Sequence, residues 1–283
     1  STPGVGLLPP VHPNVALAMG VALGLLAAIL YGSGDFLGGR AAVGVDVRRV
    51  LAISQVSACV LAIAGAFVVT GTREGADLAW GAAAGVSAAV GLGLLYRALS
   101  VGRAGVVAPL TAVVGAGVPI VWGLSRGERP TGVAAIGIAL AVVAAALIGM
   151  ERDESSVAPS GAAMGLASGL VLGLGFVCYA HTSDGSGLWP VAMARTVALF
   201  VATLAVLTAR DKTVLPRKNA RTALAAGVFD VAATIALVVG VRTELAVLVA
   251  AVVALAPGFT VVLWWRLLHE RFSSVQSAGI VLA

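Results

Sequence analysis

The charged residues of this chain sit in short clusters, and between them run apolar stretches of about 18 to 24 residues. A helix rises 1.5 Å per residue, so about 20 residues cross the roughly 30 Å hydrocarbon core of a bilayer. Only 11% of the residues are charged and 59% are hydrophobic, whereas a soluble domain carries about 25% charged residues. In lipid a backbone must satisfy its own polar groups, and a single segment does so only as a helix. The expected fold class is therefore an all-α, multi-pass membrane protein. The net charge of +5 does not point to nucleic acid. No basic stripe with interleaved aromatics is present, and loop Arg and Lys on such a chain set its topology.

Ten helices are expected, at about 14–34, 47–70, 78–99, 104–124, 132–149, 160–181, 188–208, 221–241, 245–265 and 274 to the end. The last is too short to span and reads as truncated. Residues 1–13 read as an extramembrane lead-in, without a signal-peptide layout. The acidic, Pro-containing stretch 150–159 reads as a linker between a first repeat, 14–149, and a second, 160–283. The repeat shows in register. At an offset of about 142, Trp122 falls on Trp264, Glu128-Arg129 on Glu270-Arg271 and Gly137-Ile138 on Gly279-Ile280. At about 145, Gly20 and Gly24 fall on Gly165 and Gly169. Five spans per half would insert the second half upside down. Inverted repeats of this kind place a solute site at the repeat interface near the midplane.

YGSGDF (31–36), SVGRAG (100–105) before Pro109, RGERPT (126–131) and its second copy LHERFSSVQSAG (268–279), set on this plan, resemble the EamA-type branch of the drug/metabolite transporter superfamily. The resemblance covers almost the whole chain. It implies movement of small organic metabolites, such as amino-acid-like or other polar solutes, across the cell membrane, often outward. One departure is Arg242-Thr243-Glu244, where the family's short turn carries Gly and a small residue.

Gly161, Gly165, Gly169 and Gly173 form a small-residue face for helix packing. Asp230 lies ten residues into its apolar run. A midplane carboxylate costs at least ~2.5 kcal/mol, so it should face a partner or a wet space and bind solute or a proton. Asp35 is expected at the close of the first helix, as an interfacial cap or as part of an unwound end lining the site. Arg49 and Arg195 open helices at equivalent places. They either snorkel to the headgroups or pair with Asp230, Asp35 or a solute carboxylate. Tyr31, Tyr96, Tyr179, Trp122 and Trp264 lie near helix ends, where an aromatic belt explains most such residues. They remain candidates for the solute site. His181 reads as interfacial. Pro109, Pro119 and Pro257 should kink or open their helices and gate the path. Cys59 and Cys178 read as small packing residues.

The expectation is a secondary transporter working by alternating access, an exporter in the plasma or inner membrane. Its partners would be a small-molecule solute, membrane lipid and a coupling proton. No cofactor, metal, catalytic residue or nucleic acid is expected, and no oligomeric state is readable. His269-Glu270 lacks the second His of a zinc helix, and no nucleophile or phosphate-loop motif is present. The alternatives are a non-transporting membrane scaffold or a membrane-embedded lipid-modifying enzyme. Sidedness is in conflict. The loop charges put the N-terminus outside, whereas the resemblance implies both termini inside and is preferred.

Overall fold

The computed structural model describes residues 13–126, 159–209, 214–241, 253 and 255–268. Every regular element among them is helical: α1 (Pro13–Ala42), α2 (Val47–Val68), α3 (Gly75–Val101), α4 (Ala104–Ser125), α5 (Pro159–Tyr179), α6 (Trp189–Leu207), α7 (Arg217–Val241) and α8 (Ala256–Leu268), with a 3₁₀ turn at Asp184–Ser186. Seven of them, α1 to α7, are long and apolar enough to cross a membrane. The lead-in through residue 12, the linker up to residue 158, the expected fifth and tenth helices, Glu128, Glu270 and Arg242 lie outside the described residues, and Pro159, placed in the linker, opens α5.

The main correction concerns α1. It was expected to end near residue 34, yet it continues to Ala42. The glycines of YGSGDFLGG suggested an unwound end. In the structure they stay helical and let neighbours approach. A Cβ on Gly38 would collide with the Tyr96 ring, and one on Gly32 would lie 2.6 Å from the Ala256 carbonyl oxygen. Asp35 is thus not a helix-end cap. Seven residues of α1 follow it, about 10 Å of helix.

Named contacts fix the helix directions. Tyr31 meets Thr234, Gly34 lies against Asp230 and Asn219 reaches the Ala41 carbonyl, so α1 and α7 are antiparallel. Gly161 lies against Gly102, and Ser168 donates to the Gly91 carbonyl, so α3 and α5 are antiparallel. Thr111 donates to the Gly165 carbonyl and Gly173 packs on Val118, which makes α4 and α5 parallel. Gly32 against Thr260 and Phe36 against Trp264 make α1 and α8 parallel. Ser57 donates to the Leu224 carbonyl and Gly65 packs by Ile235, so α2 and α7 are parallel. Gly81 on Pro190 and Gly85 on Ala194 do the same for α3 and α6. Exchanging α1–α4 with α5–α8 maps each of these pairs onto another. Counterparts run in opposite directions. This is direct for α2 and α6, where Gly65 lies by Leu188 and Cys59 by Thr196. For α1 and α5 it follows because α1 is parallel to α3, through Gly38 on Tyr96 and Gly39 on Leu99.

The outer surface is apolar, with Val60 61%, Phe200 68% and Leu204 50% exposed, as lipid requires. The inside is built of Ala and Gly, with larger cores around Tyr96 and Leu99 and around Leu188 and Val231. Lipid gives no hydrophobic drive between helices, so close packing of small residues substitutes for it. The expected glycine face does this. Gly161, Gly165, Gly169 and Gly173 are buried and lie against Gly102 and then α4. Among the described residues, Arg40, Arg48, Arg49, Arg97, Arg103, Arg217, Lys218, Arg221 and Arg266 gather at one end of the helices, with Arg73 and Arg126 at the other.

Candidate functional site

Asp230 stands mid-helix in α7, and Arg195 lies in the second turn of α6. Arg195 Nη1 is 2.6 Å from Asp230 Oδ2, and the residues are 5% and 7% exposed. Arg195 Nη2 donates to Thr234 Oγ1 at 2.8 Å, and the Tyr31 hydroxyl lies 3.0 Å from the same oxygen. Thr234 Oγ1 donates to the Asp230 carbonyl at 2.9 Å. A threonine hydroxyl carries one hydrogen, so Tyr31 and Arg195 are the donors to it. Tyr31 comes from the first half, whereas Arg195, Asp230 and Thr234 come from the second. The network therefore ties the halves together at mid-depth.

Arg195 does not snorkel. Its short distance to Asp230 and its burial make it the carboxylate's partner. An ion pair in low dielectric is weak grounds for stability, because removing two charges from water costs several kcal/mol per ion. Arg195 Nε is buried and has no hydrogen-bond partner among the described residues.

The other candidates fall into two groups. Asp35, Tyr96 and Tyr179 lie within electrostatic reach of the Arg195–Asp230 pair or its carboxylate. Tyr96 is 1% exposed, and Tyr31 and Tyr179 are half-buried, so Tyr31 and Tyr96 are not belt residues. Trp264, expected in the belt, is also buried (8%) and meets Phe36 edge-on at 5.6 Å. Trp122 is exposed at the end of α4 and lies 5.5 Å from the His181 ring, which also stacks on Trp80 at 4.3 Å. The two Trp are nonetheless related, since Phe36 and His181 are separated by the offset that carries Gly20 to Gly165. Arg49 stays near the end of α2, half-buried and close to Asp46. Asp46 caps α2 by accepting from the Arg48 amide, and hydrogen bonding from Arg48 holds its carboxyl below the usual range. The α4 helix runs unbroken through Pro109 and Pro119. Their missing N–H groups leave the Gly105 and Gly115 carbonyls without the usual partner. Pro257 stands in the first turn of α8 as described.

Three features had no clear sequence signal. Gln55, on the inward face of α2, is 0% exposed, and neither amide atom has a partner among the described residues. Thr234 is the hub of the network. Asp77, 3% exposed, accepts from Ser183 N (2.9 Å) and Ser183 Oγ (2.5 Å), joining the halves at one end. Asn219, its counterpart at the offset that carries Trp122 to Trp264, joins them at the other through the Ala41 carbonyl at 2.9 Å. Only the Thr234 position, one turn beyond Asp230, was open to a helical-spacing search.

A family model, the EamA-like transporter family, matches residues 18–150 and again 159–283. The chain belongs to the EamA-like transporter family. The match is thus double in this chain, and both matched segments contribute to the network, through Tyr31 and through Arg195 and Asp230. No curated protein matches the sequence. A crystal structure of another protein is similar, with a TM-score of 0.64 and 16% identity, covering 94% of this chain and 93% of that one. At that identity the likeness concerns the fold alone.

Proposed function

We propose that this EamA-like protein is a secondary transporter that passes a small polar or amphipathic organic solute between two inverted five-helix repeats by alternating access. Export across the cell membrane, driven by a proton gradient, is the form we favour. The observation that carries this reading is the Arg195–Asp230 pair with Tyr31 and Thr234, at mid-depth and at the junction of the halves. A charge pair there costs desolvation without guaranteed stability, which favours a working role over a structural one. The antiparallel run of counterpart helices supports the inverted arrangement. Protonation of Asp230 would free Arg195 from its partner, and this gives a proton a means to alter the site.

Flux measured in proteoliposomes, with a panel of labelled metabolites under an imposed proton gradient, tests the reading. Wild type is expected to give saturable, pH-dependent flux of at least one solute. Asp230→Asn keeps the shape but cannot titrate; it should fold and carry flux that no longer depends on pH. Normal pH dependence in Asp230→Asn would remove the proton role from this residue.

A further inference from the structure

Asp35 is the charged group left over at this site. Arg195 is committed to Asp230, and Asp35 has neither a hydrogen bond nor an ion pair among the described residues. It lies well inside α1, yet its side chain remains partly exposed. That exposure is not to lipid. At the middle of α1 the outward side chains are Leu25, Leu26 and Ile29. Asp35 follows Tyr31 by four residues and Ala28 by seven, which puts it on the inward face with the Tyr31 hydroxyl. This inward carboxylate keeps accessible surface. The adjacent Gly34 packs on Ala226 and Asp230, and Gly227 packs on Ser54, so Asp35 and Gln55 share one level of the bundle. Gln55 offers an unpaired donor and an unpaired acceptor there. Tyr96, buried against Gly38, feels the Asp35 charge. The groups at this level are two carboxylates against one guanidinium.

We propose that Asp35 is the anchoring group for the ammonium of a small organic cation, with the Gln55 amide holding a neutral polar group of the same solute. This rests on the transporter reading and narrows it. An acid whose only charge is a carboxylate would meet Asp35 unpaired and an Arg195 whose two terminal nitrogens are already held by Asp230 and Thr234. A zwitterion would have to compete with Asp230 for the guanidinium. A charge-assisted hydrogen bond from an ammonium in this water-poor setting is roughly twice as strong as a neutral one, and it leaves no carboxylate unpaired.

The test uses the full chain in detergent and in proteoliposomes, with phenethylamine, 2-phenylethanol and 3-phenylpropionate as cationic, neutral and anionic probes of similar size. Binding is read by calorimetry, and sodium and potassium chloride are titrated separately. The expected result is that phenethylamine binds at least about tenfold more tightly than either other probe. Asp35→Asn should abolish that preference, Asp35→Glu should keep part of it, and Gln55→Leu should weaken phenethylamine less than Asp35→Asn does. Equal binding of all three probes, preference for the anion, binding of none, or an unchanged preference in Asp35→Asn each overturns the assignment. So does a response to sodium that Asp35→Asn removes while phenethylamine does not bind, since Asp35 would then hold a coupling ion. If Asp35→Asn does not fold, loss of the preference in Asp35→Glu with unchanged melting decides against the assignment, and its partial retention decides for it. The two readings fail separately. Flux of the neutral or anionic probe without the cation leaves transport standing and removes Asp35's role. Asp35-dependent binding of phenethylamine without flux of any solute does the reverse.

Discussion

Alanine at Gly169 places a Cβ against the Thr111 carbonyl oxygen, 2.9 Å from Val114 Cβ and 3.1 Å from the Gly115 amide. These are mostly backbone atoms of α4, which cannot swing aside as a flexible side chain would. The two helices must move apart, and their contact from Gly102 to Val118 loosens together. Overpacking costs about 1–3 kcal/mol. Against it stands a helix-propensity gain of about 1 kcal/mol for Gly→Ala. A net loss of up to about 2 kcal/mol is expected. Two neighbours grade the effect. A Cβ on Gly165 lies 3.3 Å from Thr111 Oγ1 and 3.4 Å from the Val107 carbonyl, so Gly165→Ala should be close to neutral. A Cβ on Gly117 meets nothing described within 4 Å, so Gly117→Ala should be neutral or up to about 1 kcal/mol more stable. Thermal unfolding in one detergent gives the order Gly117, Gly165, Gly169 from most to least stable. If Gly169→Ala melts with Gly117→Ala, the close approach of α4 and α5 does not hold them together.

Arg195→Met leaves the Asp230 carboxylate buried without its partner and should cost about 3–5 kcal/mol, whereas Arg195→Met with Asp230→Leu should recover most of that; equal losses by thermal unfolding would mean that the two charges do not act as a pair. Asp46→Ala removes the α2 cap and should cost about 1 kcal/mol near neutral pH. Because Arg48 lowers the Asp46 carboxyl relative to the unfolded chain, this contribution is present above the unfolded value and lost as pH falls through the folded one. The gap between wild type and Asp46→Ala should therefore narrow in acid, and a constant gap would exclude the charged cap.

The helical class, the doubled sequence and the glycine face of α5 were legible because each depends on spacing along one segment. Asp230 was legible for a related reason, since a carboxylate amid apolar residues demands a partner whatever the fold. Its partner was harder to name. Arg195 and Arg49 occupy equivalent places, and only the lateral placement of α6 beside α7 puts one of them on Asp230. The end of α1 was misread because Gly32, Gly34, Gly38 and Gly39 look like breakers in isolation. Against Tyr96 and α8 they are spaces that neighbours fill. Trp264 was misread in the same way, since Phe36 covers it from another helix. Gln55 gave no signal, because one amide in an apolar run is common until its neighbours prove unable to bond it.

Distances across the two ends of the molecule test alternating access most directly. Asp77–Ser183 joins the halves at one end and Asn219–Ala41 at the other. Spin labels at Thr70 and Gly185 report on the first end and labels at Val43 and Arg221 on the second, all at exposed positions. Cys59 and Cys178, both free thiols, are replaced by alanine. Pulsed electron–electron spectroscopy in lipid nanodiscs, repeated across pH and in Asp230→Asn, should give a short and a long distance for each pair. Their populations should be complementary, so that whatever opens one end closes the other, and Asp230→Asn should stop pH from shifting them. A single fixed distance at both ends, or two ends that open together, would contradict alternating access through this site.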